Sequence, residues 1–301
     1  MPPSTFRTAD GAQIGYAVVG TRTAHLPLVL INGMSAIMDD WAALAHAFGE
    51  TRQVILLDHR GIGASRLAGD EAYTIEVLAD DVLALLQHLG LTRVQLLGFS
   101  MGGLVTQAIA AHPEARVSAD GAGVVVRGIE VRAIVLSATF AKMPKSAFNF
   151  KKQPPTDGMS HAERARALAA FMLRYQYDEA SLAASSALAA KLEQRIDASV
   201  GTRRPQAVIL QQAGAIAQCD VREALARVPR GLRVLIIHGR CDRMVDYGEA
   251  RELAACLPQA ERYVPRDGEA FGHMWFDYYD LARAWVRPLA AWLDGAARAR
   301  L

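Results

Sequence analysis

Residues 96–103 read Leu-Leu-Gly-Phe-Ser-Met-Gly-Gly, and they are the most informative segment of the sequence. It contains the pattern G-x-S-x-G with Ser100 at its centre, between a short apolar run at 94–97 and a helical run at 104–111. A chain that passes directly from a buried strand into a helix must turn tightly, and small residues beside the serine prevent clashes at that turn. The sequence therefore predicts that the hydroxyl of Ser100 stands above the carboxyl edge of a sheet, as a nucleophile requires.

Other short apolar runs lie along the chain at 28–31, 54–57, 131–136 and 234–237. Continuous apolar runs of this length are typical of strands buried on both faces of a parallel sheet. Between two of them, residues 74–89 carry apolar side chains at spacings of three and four, and Gly90 follows as a helix stop. The alternation predicts an α/β fold with a mainly parallel central sheet flanked by helices.

One long segment, residues 140–230, lacks a strong strand pattern and is dominated by helical patterns. Ser160 and Glu163 have the spacing of a capping box before an alanine-rich helix. We expect a helical insertion between two strands and call residues 140–230 the cap. The predicted organisation is a core at 1–139, the cap, and a second part of the core at 231–301.

Composition limits the classes of protein that this chain can represent. Its 301 residues are 51% hydrophobic, and 33 Lys and Arg against 31 Asp and Glu give a net charge of +2. That charge is too even for a domain that binds nucleic acid through phosphates. No signal-peptide pattern is present, and no apolar run approaches the roughly 18–20 residues that span a bilayer. We predict a cytoplasmic protein without nucleic-acid or membrane partners. The sequence predicts no particular oligomeric state.

Cofactor and metal signals are weak. Gly61-Ile62-Gly63 follows a strand but lacks the third glycine of a dinucleotide fingerprint. The sequence has no zincin-like histidine pair and no Cys-x-x-Cys, so neither a metal nor a cofactor is expected. The adjacent carboxylates Asp39-Asp40 and Asp80-Asp81 are expected to be solvated or to cap helices, because neighbours on a helix do not face one another.

A serine hydroxyl needs a base to take its proton and an acid to orient that base. His273 lies in a loop between the last strand pattern, 262–264, and the closing helix pattern, 284–293, so we predict it as the base. His59, in a loop after a strand, is an outside candidate. Asp242 follows the strand at 234–237 and precedes His273 by 31 residues, which makes it the predicted acid. Asp246 is the runner-up, although we expect it to cap a helix that begins near residue 247.

The reaction also needs donors for a developing oxyanion. The backbone amide of Met101, next to the serine, is one predicted donor. The amide of Met34 is the other, because it follows Gly33 in the loop after the strand at 28–31.

With these motifs in place, the chain resembles a cap-bearing protein of the α/β-hydrolase fold superfamily. Residues 98–103 are similar to its nucleophile turn, and residues 58–65 to its D-x-R-G-x-G-x-S turn. Residues 238–242 resemble its acid motif and Gly272-His273 its histidine, in the chain order Ser, Asp, His. The chain departs from the family at Asn32-Gly33, where His-Gly is common, and in about a dozen extra residues at 117–130, which we expect to be peripheral.

The resemblance implies a serine hydrolase that acts on carboxylic esters or lactones. Phe99 and Met274 flank predicted catalytic positions, and Trp41 is nearby in sequence. Phe140 and Tyr175 lie in the cap, so we expect these five to line an apolar pocket. A carbon–carbon bond hydrolase or an acyltransferase would use the same three side chains. A ligand receptor built on a hydrolase fold is the alternative from another class.

Overall fold

Ten strands form one sheet in the part of the chain that the computed structural model describes, residues 3–69 and 72–295. They are β1 (Ser4–Arg7), β2 (Gln13–Val19), β3 (Leu28–Ile31), β4 (Val54–Leu57), β5 (Arg93–Phe99), β6 (Arg116–Val117), β7 (Val124–Val126), β8 (Ile129–Ser137), β9 (Arg233–Ile237) and β10 (Glu261–Arg262). The six strands β4, β3, β5, β8, β9 and β10 are parallel neighbours in that order. The strands β1 and β2 extend the β4 side as antiparallel partners. The prediction of a mainly parallel central sheet is confirmed.

Ten α-helices accompany this sheet within the described residues. They are α1 (Ala42–Gly49), α2 (Ile75–His88), α3 (Met101–Ala110), α4 (His161–Arg174), α5 (Glu179–Ala184), α6 (Ser186–Ser199), α7 (Gln206–Gln218), α8 (Arg222–Leu225), α9 (Gly248–Cys256) and α10 (Arg287–Leu293). The closing helix begins as a π-helical stretch, Leu281–Val286, that continues into α10.

Alternate residues of the strands enter two separate cores, because successive side chains of a strand point to opposite faces. Val29 and Ile31 pack with the apolar faces of α2 and α3. Leu28 and Leu30 pack with α1 and α10 on the other face. The strands β3 and β4 are buried along their whole length, which accounts for their continuous apolar sequence.

The helices α4 to α8 all lie between β8 and β9, and the described chain has no strand between them. The capping box is confirmed: the amide of Glu163 donates to the Ser160 hydroxyl, and the Glu163 carboxylate accepts the amide of Ser160. The fold is thus a parallel sheet with a helical insertion, while the boundaries at 140 and 230 stay a prediction.

The extra residues 117–130 form a hairpin at the amino edge of the sheet. β6 pairs with β7, and β7 pairs antiparallel with the first three residues of β8. Ser137 ends the same strand, and the six steps along the chain from Val131 to Ser137 correspond to about 20 Å of strand. The hairpin therefore lies at the end of β8 opposite to the end beside Ser100.

Membrane-spanning helices and clusters of metal-ligating side chains are both absent from the described residues. None of its helices combines the length and the hydropathy that a membrane span requires. Its His, Cys, Asp and Glu side chains form no group of three or more that could hold a metal ion. Its cysteines, Cys219, Cys241 and Cys256, are not paired in disulfides.

The expectation that Asp81 is solvated is wrong. Its carboxylate accepts two hydrogen bonds from the guanidinium of Arg60, at 2.8 and 2.6 Å, and its side chain is only 4% exposed. Asp80, one residue earlier, is 45% exposed and pairs with Arg127. The D-x-R-G-x-G-x-S turn thus uses its arginine to attach the turn to α2.

Replacing Asp81 should therefore cost far more stability than replacing Asp80. Asp81→Ala leaves the buried Arg60 with only the half-exposed Asp10 as a partner, so we expect a loss of about 3 kcal/mol in the free energy of unfolding. Asp80→Ala, the matched control, removes a surface ion pair and should cost less than about 1 kcal/mol. Urea unfolding of both variants measures the difference, and equal losses would contradict this account.

Candidate active site

Ser100 occupies the turn between β5 and α3 with a φ of 53° and a ψ of −122°. Positive φ is uncommon outside glycine, and residues held in such strained conformations cluster at functional sites. The two flanking glycines are required by close backbone approach. A Cβ at Gly98 would lie 2.4 Å from the carbonyl oxygen of Gly102, and a Cβ at Gly102 would lie 2.0 Å from that of Ile31. The G-x-S-x-G pattern therefore has a steric basis at both glycines.

The end of β8 holds the turn in place. The amide of Ser100 donates to the carbonyl oxygen of Ser137 at 3.0 Å. The carbonyl oxygen of Ser100 accepts from the hydroxyl of Thr139 at 2.6 Å and from the amide of Gly103 at 2.9 Å. Both backbone polar groups of Ser100 are thus satisfied within the sheet and α3, and the residue is half-buried at the carboxyl edge.

Asp242 and His273 meet at the same edge. Asp242 lies in the loop after β9, and its Oδ2 is 2.7 Å from Nδ1 of His273. Both side chains are buried. The two loops are also joined through their backbones, because the amide of Cys241 donates to the carbonyl oxygen of Phe271 at 3.2 Å.

The environment of Asp242 favours its ionised form. Its Oδ1 accepts from the amides of Met244 and Val245, each at 2.9 Å, and Nε2 of His238 lies 3.4 Å from Oδ2. Burial by itself raises the pKa of Asp242, but the charge of His273 and the hydrogen bonds from His238 and His273 outweigh it. The net effect holds the pKa of Asp242 well below its usual value. His238 follows directly after β9, where the sequence indicates only a structural role. In the structure it contacts the predicted acid, Asp242.

The imidazole of His273 lies beside the turn that carries Ser100. The ring of Phe99, the residue before the serine, has its centroid 4.7 Å from that of His273. Phe99 in turn packs edge-to-face on Trp41 at 5.1 Å, and Trp41 packs on Phe276 at 4.7 Å. Base candidate and nucleophile candidate are therefore brought together against one aromatic group.

Both predicted oxyanion donors are near Ser100. Met101 is the first residue of α3, and the first amides of an α-helix have no acceptor within the helix. The loop that carries Met34 passes the same turn, because a Cβ at Gly33 would lie 3.1 Å from the Cβ of Ser100. Backbone amides at a helix start and in an adjacent loop are suited to stabilising negative charge on a bound oxygen.

The side chain of His59 supports this loop and forms no hydrogen bond with Asp242 among the described residues. Its Nε2 lies 2.9 Å from the carbonyl oxygen of Asn32, and Asn32 donates from Nδ2 to the carbonyl oxygen of Leu57 at 2.8 Å. Complete burial lowers the pKa of His59 to about 4. The ring is neutral at pH 7, so Nε2 carries the proton that Asn32 accepts.

The five expected pocket residues fall into three places. Trp41, Phe99 and Met274 belong to one buried cluster on the face of the sheet that packs against α1 and α10. Phe140 is buried in the cluster on the opposite face, with α2 and α3, so it is not part of the aromatic group beside His273. Tyr175 is half-buried in the cap, where its ring lies 4.6 Å from the guanidinium of Arg243.

The sequence reasoning missed Asp277, which joins the cap to the His273 loop. Its buried carboxylate accepts from Tyr177 and, through two nitrogens, from Arg195 of α6. The amide of Met274 also donates to the carbonyl oxygen of Gln176 at 3.2 Å. A single carboxylate within the run Met-Trp-Phe-Asp-Tyr-Tyr was the signal that could have revealed this junction.

Fold and site together define a hydrolase-type protein with a serine at the strand-to-helix turn. The family model described as alpha/beta hydrolase fold matches residues 27–277. The chain belongs to the α/β-hydrolase fold family.

Similar proteins carry several activities. A proline iminopeptidase of Lactobacillus crispatus (strain ST1) is 33% identical over 99 residues, which are 32% of this chain and 34% of that protein. The chain thus spans about a third of that relative's length. A protein of Pseudomonas savastanoi pv. phaseolicola, provisionally assigned as carbamate hydrolase RutD, is 29% identical over 77% of this chain and 82% of its own. The crystal structure of the enol-lactonase from Burkholderia xenovorans LB400 matches with a TM-score of 0.69 and 25% identity, over 94% and 97% of the two chains.

Because His59 is buried, we expect the protein to become less stable in acid. Its pKa is about 4 in the folded chain and 6.5, the ordinary value for histidine, in the unfolded chain, so between these values the unfolded chain binds more protons. The contribution of neutral His59 to the free energy of unfolding is complete above pH 6.5. About 3 kcal/mol of it is lost as the pH falls toward 4.

The variant His59→Gln isolates this contribution, because glutamine can still donate to Asn32 but does not titrate. Burial raises the pKa of neighbouring Asp58 to about 6, which acts in the opposite direction but is common to both proteins. We expect the difference in unfolding free energy between wild type and variant to shrink or reverse from pH 7 to pH 4, measured by urea titration. A difference that does not change with pH would show that His59 does not titrate in this way.

Proposed function

We propose that this protein is a serine hydrolase that cleaves carboxylic esters or lactones through an acyl-enzyme. The observation that carries the proposal is the 2.7 Å contact between Asp242 and His273 at the turn that carries Ser100. An acid that orients an imidazole beside a strained serine is the arrangement that nucleophilic acyl transfer requires.

In the proposed mechanism, Nε2 of His273 takes the proton of the Ser100 hydroxyl as the serine oxygen attacks the substrate carbonyl. Asp242 fixes the tautomer with the proton on Nδ1 and stabilises the imidazolium that forms. The amides of Met34 and Met101 donate to the oxyanion of the tetrahedral intermediate. His273 then protonates the leaving alcohol, and a water molecule activated by the same imidazole hydrolyses the acyl-enzyme.

An apolar acyl or ring portion of the substrate is supported by the aromatic residues beside His273. Phe99, Trp41 and Phe276 form a buried aromatic group at the turn, and we expect an apolar site beside it to bind apolar groups by excluding water. The likeness to an enol-lactonase supports the inclusion of lactones. No cofactor takes part in these steps, and the proposed partner is a small-molecule ester or lactone.

Hydrolysis of p-nitrophenyl esters over a range of acyl lengths, together with a simple lactone, tests the proposal. Ser100→Ala should abolish turnover. Asp242→Asn should lower kcat by about 10⁴-fold, because an amide at this position holds the imidazole in the wrong tautomer. Asp246→Asn is the matched control: Asp246 accepts the amide of Gly248 at the start of α9, so its loss should leave kcat within about twofold.

The alternative functions predict different results in the same assay. Undiminished activity in Ser100→Ala would overturn the mechanism. A folded wild type that releases no product from any of these esters would overturn ester hydrolysis and favour carbon–carbon bond hydrolysis or acyl transfer. A single slow turnover without cycling would favour a ligand receptor.

A further inference from the structure

Ser35, the residue after Met34, forms hydrogen bonds with the cap through both its amide and its carbonyl group. The amide of Ser35 donates to Oε1 of Gln212 at 2.8 Å. The carbonyl oxygen of Ser35 accepts from the guanidinium of Arg204 at 2.7 Å. Gln212 is a fully buried residue of α7, and Arg204 lies just before that helix. Both backbone polar groups of one core residue are therefore satisfied by cap side chains.

Ser35 lies in a tight turn that contains the proposed oxyanion donor. The amide of Ala36 donates to the carbonyl oxygen of Gly33 at 3.3 Å, which closes a turn with Met34 and Ser35 at its centre. Ser35 has a φ of 61°, whereas Met34 is not among the described residues with positive φ. A positive φ at the third position only is the mark of a type II turn, where glycine or asparagine is preferred. Serine is strained there and needs external support.

Gln212 provides that support at the central peptide of the turn, and Arg204 provides it at the peptide that follows. Type I and type II turns differ in the orientation of the central peptide, here the one between Met34 and Ser35. The hydrogen bond to Gln212 fixes the N–H of this peptide, and donation from Ser35 settles which atom of the Gln212 amide is the oxygen. Arg204 reinforces the position through an ion pair to Asp40 at 3.0 Å.

Apolar packing places α7 over the same segment. Val208, one helical turn before Gln212, packs with Ile37 and Ile62 in a small buried cluster. Gln212 itself is fully buried and Ser35 is half-buried, so the hydrogen bond between them is partly shielded from water, which strengthens it.

We propose that the cap completes the oxyanion hole: Gln212, with Arg204, is a positioning residue that holds the strained turn at Ser35 and thereby the amide of Met34. The inference rests on the proposed function. Gln212 acts through the backbone of Ser35 and not on the substrate. A preorganised donor stabilises the transition state without reorganisation, so its loss should lower kcat more than it raises KM.

Arg203 provides a matched control from the same segment of the cap. Its guanidinium donates to the carbonyl oxygens of Gly61 and Ser65, at 2.8 and 2.9 Å, and it has no hydrogen bond to the Ser35 turn among the described residues. Removing either side chain weakens the attachment of the cap to the core. Only the removal of Gln212 frees the turn that carries Met34.

The experiment uses the full chain with p-nitrophenyl acetate as substrate and a fluorophosphonate as a probe that phosphonylates an activated serine. Gln212→Met removes the acceptor at nearly constant volume. We expect kcat and the phosphonylation rate to fall by about tenfold, with KM within about twofold. Gln212→Glu, which keeps an oxygen at the same reach, should recover most of the loss. Arg203→Met should keep kcat near the wild-type value even where its melting temperature falls.

The other outcomes overturn the inference. An unchanged kcat in Gln212→Met, a change in KM alone, or an equal fall of kcat in Arg203→Met would show that the cap does not position the oxyanion hole. If Gln212→Met does not fold, Arg204→Met is measured in its place with the same expectation.

Failure of the proposed function gives a different result. Wild-type chain that is not labelled, or labelling that persists in Ser100→Ala, would overturn the proposed function and the positioning role with it. Labelling that requires Ser100 but is unchanged in Gln212→Met would overturn only the positioning role.

Discussion

The close approach of α3 to the end of β3 is the constraint on which the site depends. Gly102 lies so near the carbonyl oxygen of Ile31 that even a methyl group would collide with it. This approach leaves the chain a single residue, Ser100, in which to pass from β5 into the helix, and that residue takes a positive φ. The same approach brings the Asn32-Gly33 loop against the serine and places the first amide of α3 beside that loop. One steric condition thus determines the position of the nucleophile candidate and of the two segments that carry the predicted oxyanion donors.

The predicted acid and base, Asp242 and His273, depend instead on electrostatics at the end of β9. A buried carboxylate is costly unless donors surround it. Asp242 has two backbone amides on one oxygen, with His273 and His238 at the other, and these outweigh its burial. An ionised Asp242 is what the imidazole needs in order to carry positive charge during a reaction. Residues far apart in sequence therefore become one unit because each satisfies the other's charge or hydrogen bond.

The sequence predicted local features well and long-range side-chain contacts poorly. The strands β3, β4 and β9 were visible because strands buried on both faces are apolar at every position. Ser100, Asp242 and His273 were predicted because each lies in a turn or loop expected at the carboxyl edge of the sheet. Asp81 was misjudged because helix periodicity shows which positions are near one another but not which distant cation faces them. Phe140 was expected near the pocket, but it lies three residues beyond β8, after the positive φ of Ala138, and is buried in the cluster on the opposite face. The contact between Gln212 and Ser35 joins residues 177 positions apart, and no local pattern encodes such a pair.

The core and the cap divide the site between them. The turn at Ser100 is held by the core, through Ser137 at the end of β8, Thr139 just beyond it and Gly103 of α3. The loop of His273 is held in part by the cap, through the buried ion pair of Arg195 with Asp277, and the Ser35 turn is held by Gln212 and Arg204. Since the sheet fixes the serine independently, changes in the cap alter the surroundings of the serine without displacing it. A fold arranged in this way can change its substrate through the cap while keeping one nucleophile, which is a physical reason for one architecture to host many reactions.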